Sequence, residues 1–109
     1  GTTGLETAFA ALYTGLVRSG ELELELLVGR MSAGAGCFDL PLARIAPGEP
    51  ANMALIDLDA SWIAGEHGWH SRAANCCFAG RRLYGRVMLT LAAGAVAHRE
   101  QALAPAAVA

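Results

Sequence analysis

The residues able to do metal or nucleophilic chemistry gather in the second half of the chain. His67, His70, Cys76 and Cys77 fall within residues 65–80, and imidazole and thiolate are usual zinc ligands. Their spacing argues against a zinc site, because adjacent Cys side chains rarely serve one tetrahedral ion and there is no Cys-x-x-Cys. Loop histidines and half-buried free thiols account for them more simply. Ser61, His70 and Asp57 are the residue types of a nucleophile, a base and an orienting acid. No Gly-x-Ser-x-Gly elbow is present to expose the serine. Gly34-Ala35-Gly36 lacks the preceding strand and the further glycine of a phosphate-cradling loop. Trp62 and Trp69 are expected in a core or between domains rather than in a ligand box.

Composition narrows the function classes further. The chain of 109 residues is 54 % hydrophobic with a net charge of −2, and its length suits one small domain. All its cations are arginines, eight in number and scattered, so no basic stripe exists for a nucleic-acid backbone. The tightest group, Arg81-Arg82 with Arg86, is expected to guard a solvated strand edge. Three Cys do not make a disulfide framework, and a cytoplasmic setting is expected. No apolar run approaches the roughly 18 residues of a membrane span. Neither nucleic acid nor membrane is expected as a partner.

The elements that must position these residues can be read from periodicity. Leu5, Ala8, Phe9, Leu12, Leu16 and Val17 recur at three and four residues, which predicts a helix over residues 4–18. Thr3 and Glu6 ahead of it have the form of a capping box, and Ser19-Gly20 supplies a stop. Residues 21–28 alternate Glu and Leu as a half-buried strand would. Both are strong helix formers and β-branched residues are scarce, so a helix to about Met31 is favoured. A short turn of helix is expected around residues 37–40. Beyond Pro41, residues 53–59 predict a mostly buried strand that Ser61-Trp62-Ile63 could extend. Residues 65–80 predict a loop, and residues 82–91 and 95–98 a hairpin with a short connection. Helices at one end and strands at the other suggest the end of something larger, since each apolar stripe needs another layer to cover it.

Gly1-Thr2-Thr3-Gly4-Leu5-Glu6-Thr7 resembles the Gly-x-x-Gly-Leu-Glu-Thr segment of dihydroorotases. Later features keep that family's order: a turn at residues 48–51, a strand at 52–57 similar to Asp-Leu-Val-Leu-Phe-Asp, and Ser-x-x-x-Asn-x-x-Phe-x-Gly from Ser71 to Gly80. Gly85-Arg86-Val87 and Gly94 follow, and the resemblance runs from Gly1 to about Glu100. Hydantoinases and allantoinases share the strand segment, but the first and last motifs favour dihydroorotase. This chain departs from the pattern at Asn75-Cys76-Cys77-Phe78, where the family usually has Asn-Thr-Pro-Phe. It departs again at Asn52, where Asp is usual, and at Ala33-Gly34-Ala35, where Asn-Pro-Ala is usual.

The resemblance implies an α+β fragment: terminal helices of a (β/α)8 amidohydrolase barrel in residues 1–40, strands of the small C-terminal β-sandwich in 41–100, and a disordered tail in 101–109. It implies a parent enzyme that interconverts N-carbamoyl-aspartate and dihydroorotate in pyrimidine biosynthesis, with zinc polarising the amide carbonyl and an aspartate moving the proton. The family's metal ligands and catalytic aspartate are expected to precede Gly1, which leaves no catalytic or metal-binding residue in this chain and makes it inactive alone. Gly1 aligns with a family glycine whose main chain contacts substrate. The partners implied are the small-molecule substrate, a homodimer mate and aspartate transcarbamoylase. The departures leave open a non-catalytic homologue that only supports that transcarbamoylase.

Overall fold

A computed structural model describes residues 1–100; the expected tail, 101–109, lies outside the described residues. Helix α1 (Ala8–Leu12) runs into a π-helical turn (Tyr13–Val17), followed by α2 (Leu24–Ser32) and a 3-10 turn (Ala33–Phe38). Strands β1 (Met53–Ile63), β2 (Arg82–Ala92) and β3 (Ala95–Arg99) complete the elements and form one sheet in the order β1-β2-β3. The protein is a small α+β fold, as the helix-then-strand order predicts. Contacts divide the described residues into two compact units, Gly1–Leu27 with Leu58–Arg86, and Val28–Asp57 with residues 87–100.

In the first unit, Ala10, Ala64 and Leu83 are buried together, with Trp62, Trp69 and Phe78 packed against them. Both tryptophans therefore serve the core, and Trp62 Nε1 satisfies itself on Gly85 O at 3.1 Å. The first helix ends where Ser19-Gly20 predicts. Gly20 takes a left-handed φ of 87°, and the Ser19 hydroxyl donates to Gly15 O and Leu16 O. Its start differs from expectation: α1 begins at Ala8, and its N-cap Thr7 makes no side-chain cap bond. The capping box does not form because the Glu6 carboxylate is taken by the amides of His70 and Ser71.

The π-helical turn, closed by Arg18 N to Tyr13 O at 2.9 Å, contains the residue that joins helix to sheet. Thr14 Oγ1 accepts from Tyr84 N at 2.8 Å and donates to Tyr84 O at 3.4 Å. One hydroxyl thus serves the donor and the acceptor that a neighbouring strand would otherwise satisfy. Arg18 stacks its guanidinium 3.5 Å from the Tyr84 ring centre. The arginine group lies on the part of β2 that β3, paired to residues 89–92, does not reach, and Arg82 Nη1 donates to Ser61 Oγ on β1 at 2.9 Å.

The Glu-Leu alternation resolves as helix α2, with Glu25 in its first turn and Arg30 in its last complementing the helix dipole. Leu27 is buried while Leu26, Val28 and Met31 stay exposed. The short helical turn expected at residues 37–40 lies earlier, at Ala33–Phe38, and closes on Asp39 at a φ of 56°.

In the second unit, Phe38 is 76 % and Ile45 82 % exposed, with Leu40 and Leu42 also open. The β2–β3 hairpin pairs Leu89 with Arg99, Thr90 with His98, Leu91 with Val96 and Ala92 with Ala95, with an irregularity between Thr90 and Leu91. Its two-residue connection places Ala93 at φ 50° and Gly94 at φ 83°, the double positive φ that matches the twist of a tight hairpin. The strained Ala93 is held by its own amide on Asn52 Oδ1 at 2.8 Å and by Gly94 N on Ala51 O at 3.0 Å. Asn52 thus fills an acceptor role that a carboxylate oxygen could also fill. Ala93→Asn keeps the amide bond and relieves the left-handed strain, so it is expected to stabilise the protein by about 1 kcal/mol. A shift of the urea midpoint upward at unchanged slope checks it.

Candidate functional site

The first seven residues lie outside α1, so their main-chain groups need partners elsewhere. The loop after β1 supplies them. Thr3 N donates to Asn75 O at 3.1 Å, and Asn75 Nδ2 donates to Gly1 O at 2.8 Å. Cys77 N donates to Thr2 Oγ1 at 2.8 Å. The Glu6 carboxylate accepts from His70 N and Ser71 N, one to each oxygen, both at 2.9 Å. Between these ends Thr7 is buried, its hydroxyl 3.7 Å from the Cys76 sulfur. Tertiary folding thereby brings together the two motifs that the sequence holds some 70 residues apart.

Gly1, the expected substrate-contacting residue, is exposed, and a Cβ built on it would meet nothing within 4 Å. Among the described residues it has one hydrogen-bond partner, the Asn75 amide on its carbonyl. Thr2 and Asn75 carry no signal as residue types, and Glu6 has the type and spacing of a helix cap rather than of a loop clamp. Asn75 and Glu6 stand inside the quoted motifs, yet only their partners in space reveal what they do.

The other candidates do not converge. Cys76 is buried and Cys77 exposed, so the adjacent thiols stand in different surroundings. His67 is exposed beside Glu66, while His70 meets Glu6 through its main chain. Among the described residues, no group of three or more His, Cys, Asp or Glu is arranged to hold a metal ion. Ser61 Oγ is the acceptor of the Arg82 guanidinium, and Gly34-Ala35-Gly36 is wound into the 3-10 turn. No helix among the described residues is long and apolar enough to cross a membrane.

The lacing has an electrostatic signature. The main-chain N–H of His70 holds the Glu6 carboxyl below its ordinary range; partial burial opposes this, and the Ser71 amide and hydroxyl add to the lowering. A depressed carboxyl contributes stability that is fully present above its unfolded pKa and lost as pH falls through its folded one. Glu6→Gln is therefore expected to lower the thermal midpoint at neutral pH, with the gap to wild type closing as pH drops below the ordinary glutamate range. Melting curves taken across acid pH check this, and a gap independent of pH would contradict it.

Comparison with protein-family models gives no match. Comparison with curated proteins gives several. A dihydroorotase of Lactobacillus leichmannii is 38 % identical over 102 residues, covering 93 % of this chain and 24 % of that protein. A dihydroorotase of Anaeromyxobacter sp. (strain K) is 40 % identical over 101 residues, covering 92 % of this chain and 23 % of its own length. One of Lactiplantibacillus plantarum is 40 % identical over 103 residues, with 93 % and 24 % covered. The chain spans about a quarter of the length of the curated relatives it matches. With its two ordered motifs laced together in space and relatives of one name aligning along nine-tenths of it, this chain belongs to the dihydroorotase family.

Proposed function

We propose that this chain is the C-terminal part of a dihydroorotase, a cytoplasmic hydrolase of cyclic amides in pyrimidine biosynthesis. The reaction adds water across the ring amide of dihydroorotate to give N-carbamoyl-L-aspartate, and runs in reverse to close the ring. The single observation that carries this is the alignment of dihydroorotases over more than nine-tenths of the chain. Residues 1–40 would close a (β/α)8 barrel and residues 41–100 would contribute strands to a small β-sandwich. The exposed Leu26, Val28, Met31, Phe38 and Ile45 support a larger parent, because apolar surface of this extent is normally covered.

Zinc is the metal this family implies, and the residues present do not fit it. The buried Cys76 and exposed Cys77 cannot share an ion, and no third ligand joins them among the described residues. The ligands would come from the rest of the parent, and no step of the chemistry is assigned to a metal bound here. What this chain would supply is the Gly1 main chain, presented to substrate at the edge of the site. By itself it would be inactive. A homodimer and an association with aspartate transcarbamoylase are the partners proposed for the parent.

The test is turnover of dihydroorotate by the full-length parent and by the 109-residue chain. Activity of the parent that is lost on chelation and recovered with zinc is expected, together with background rates for the chain alone. Turnover by the isolated chain would overturn the assignment of its role. A folded parent that binds aspartate transcarbamoylase without turnover would point to the silent homologue, and one that hydrolyses hydantoin or allantoin instead would move it to a neighbouring family.

A further inference from the structure

We infer that Asn75 is a positioning residue that fixes the Gly1 main chain for substrate, an inference that rests on the dihydroorotase assignment above. Three observations carry it. The Asn75 side chain donates to Gly1 O at 2.8 Å while its own carbonyl accepts from Thr3 N at 3.1 Å. One residue thus holds the segment on both sides of Thr2 and fixes its direction as well as its place. Gly1 is exposed, with open space where a Cβ would stand, and the Asn75 amide is the hydrogen-bond partner it has among the described residues.

The third observation is that the remaining bonds of the lacing hold other atoms. Cys77 N reaches the Thr2 hydroxyl, and His70 N and Ser71 N reach Glu6. The Cys77 bond is also one that the family's usual proline could not make, since proline has no N–H. Removing the Asn75 amide therefore frees the Gly1 carbonyl while the clamp on Glu6 and the burial of Thr7 persist. A main-chain contact acts through its geometry, and a small displacement of it is felt mainly in substrate binding.

The experiment uses the full-length parent with Asn75→Ala, whose exposed side chain makes folding insensitive to the change, and Asn75→Asp, which sets an acceptor against the Gly1 carbonyl. Asn75→Ala is expected to raise KM for dihydroorotate about tenfold, the scale of one lost hydrogen bond, with kcat lowered less than threefold. Asn75→Asp is expected to raise KM further. Thermal midpoints are expected within a few degrees of wild type. If Asn75→Asp does not fold, Asn75→Ala decides alone. An active wild type whose Asn75→Ala KM stays within twofold overturns the inference and leaves the dihydroorotase assignment standing. So does a fall in kcat that follows the thermal midpoint at constant KM, the mark of a merely structural role. A wild-type parent without turnover overturns the assignment itself.

Discussion

Peptide groups that leave regular structure must find partners, and in this protein that requirement ties its beginning to the loop after β1. Gly1, Thr2, Thr3 and Glu6 precede the helix, and their bonds come from His70, Ser71, Asn75 and Cys77. Both partners are irregular, so each satisfies groups that the other leaves open. The same demand repeats along the first unit. Thr14 serves both main-chain groups of Tyr84, and Trp62 caps Gly85 O.

Side-chain hydrogen bonds carry this much because the apolar core is small. In the first unit's cluster Ala10, Ala64 and Leu83 are buried and the large rings of Trp62, Trp69 and Phe78 are only partly covered; Leu27, Cys76 and Leu89 are the other buried apolar side chains among the described residues. Burial of so few large apolar side chains gives little of the usual hydrophobic stabilisation. The apolar side chains left open between Leu26 and Ile45 are the complement of that small core. A sequence rich in apolar residues that buries few of them within itself is consistent with a chain spanning about a quarter of its relatives' length.

Much of the secondary structure was legible in the residues. The end of the first helix at Ser19-Gly20, the hairpin at Ala93-Gly94 and the strand through Ser61-Trp62-Ile63 follow from local chemistry: a left-handed glycine, a two-residue turn and an apolar run, although that strand, expected mostly buried, has no buried residue. Local chemistry failed where a distant group competed for the same atoms. Thr3 and Glu6 have the types and spacing of a capping box, but two loop amides offer the Glu6 carboxylate a better bidentate seat than one cap amide. The hydroxyl that takes the place of a strand beside Tyr84 is equally distant in sequence, since Thr14 lies 70 residues earlier.

The candidate site divides in the same way. The sequence by itself determined the family, because ordered motifs survive as residue types whatever their surroundings, and it showed that adjacent cysteines are a poor ligand pair. Only the tertiary structure decided that the first motif and the last are one assembly, with Asn75 on Gly1 and Glu6 under His70 and Ser71. Periodicity reports which side chains share a face within one element. A bond between two irregular segments some 70 residues apart leaves no period to read, and it exists only once the sheet and helix between them have closed the distance.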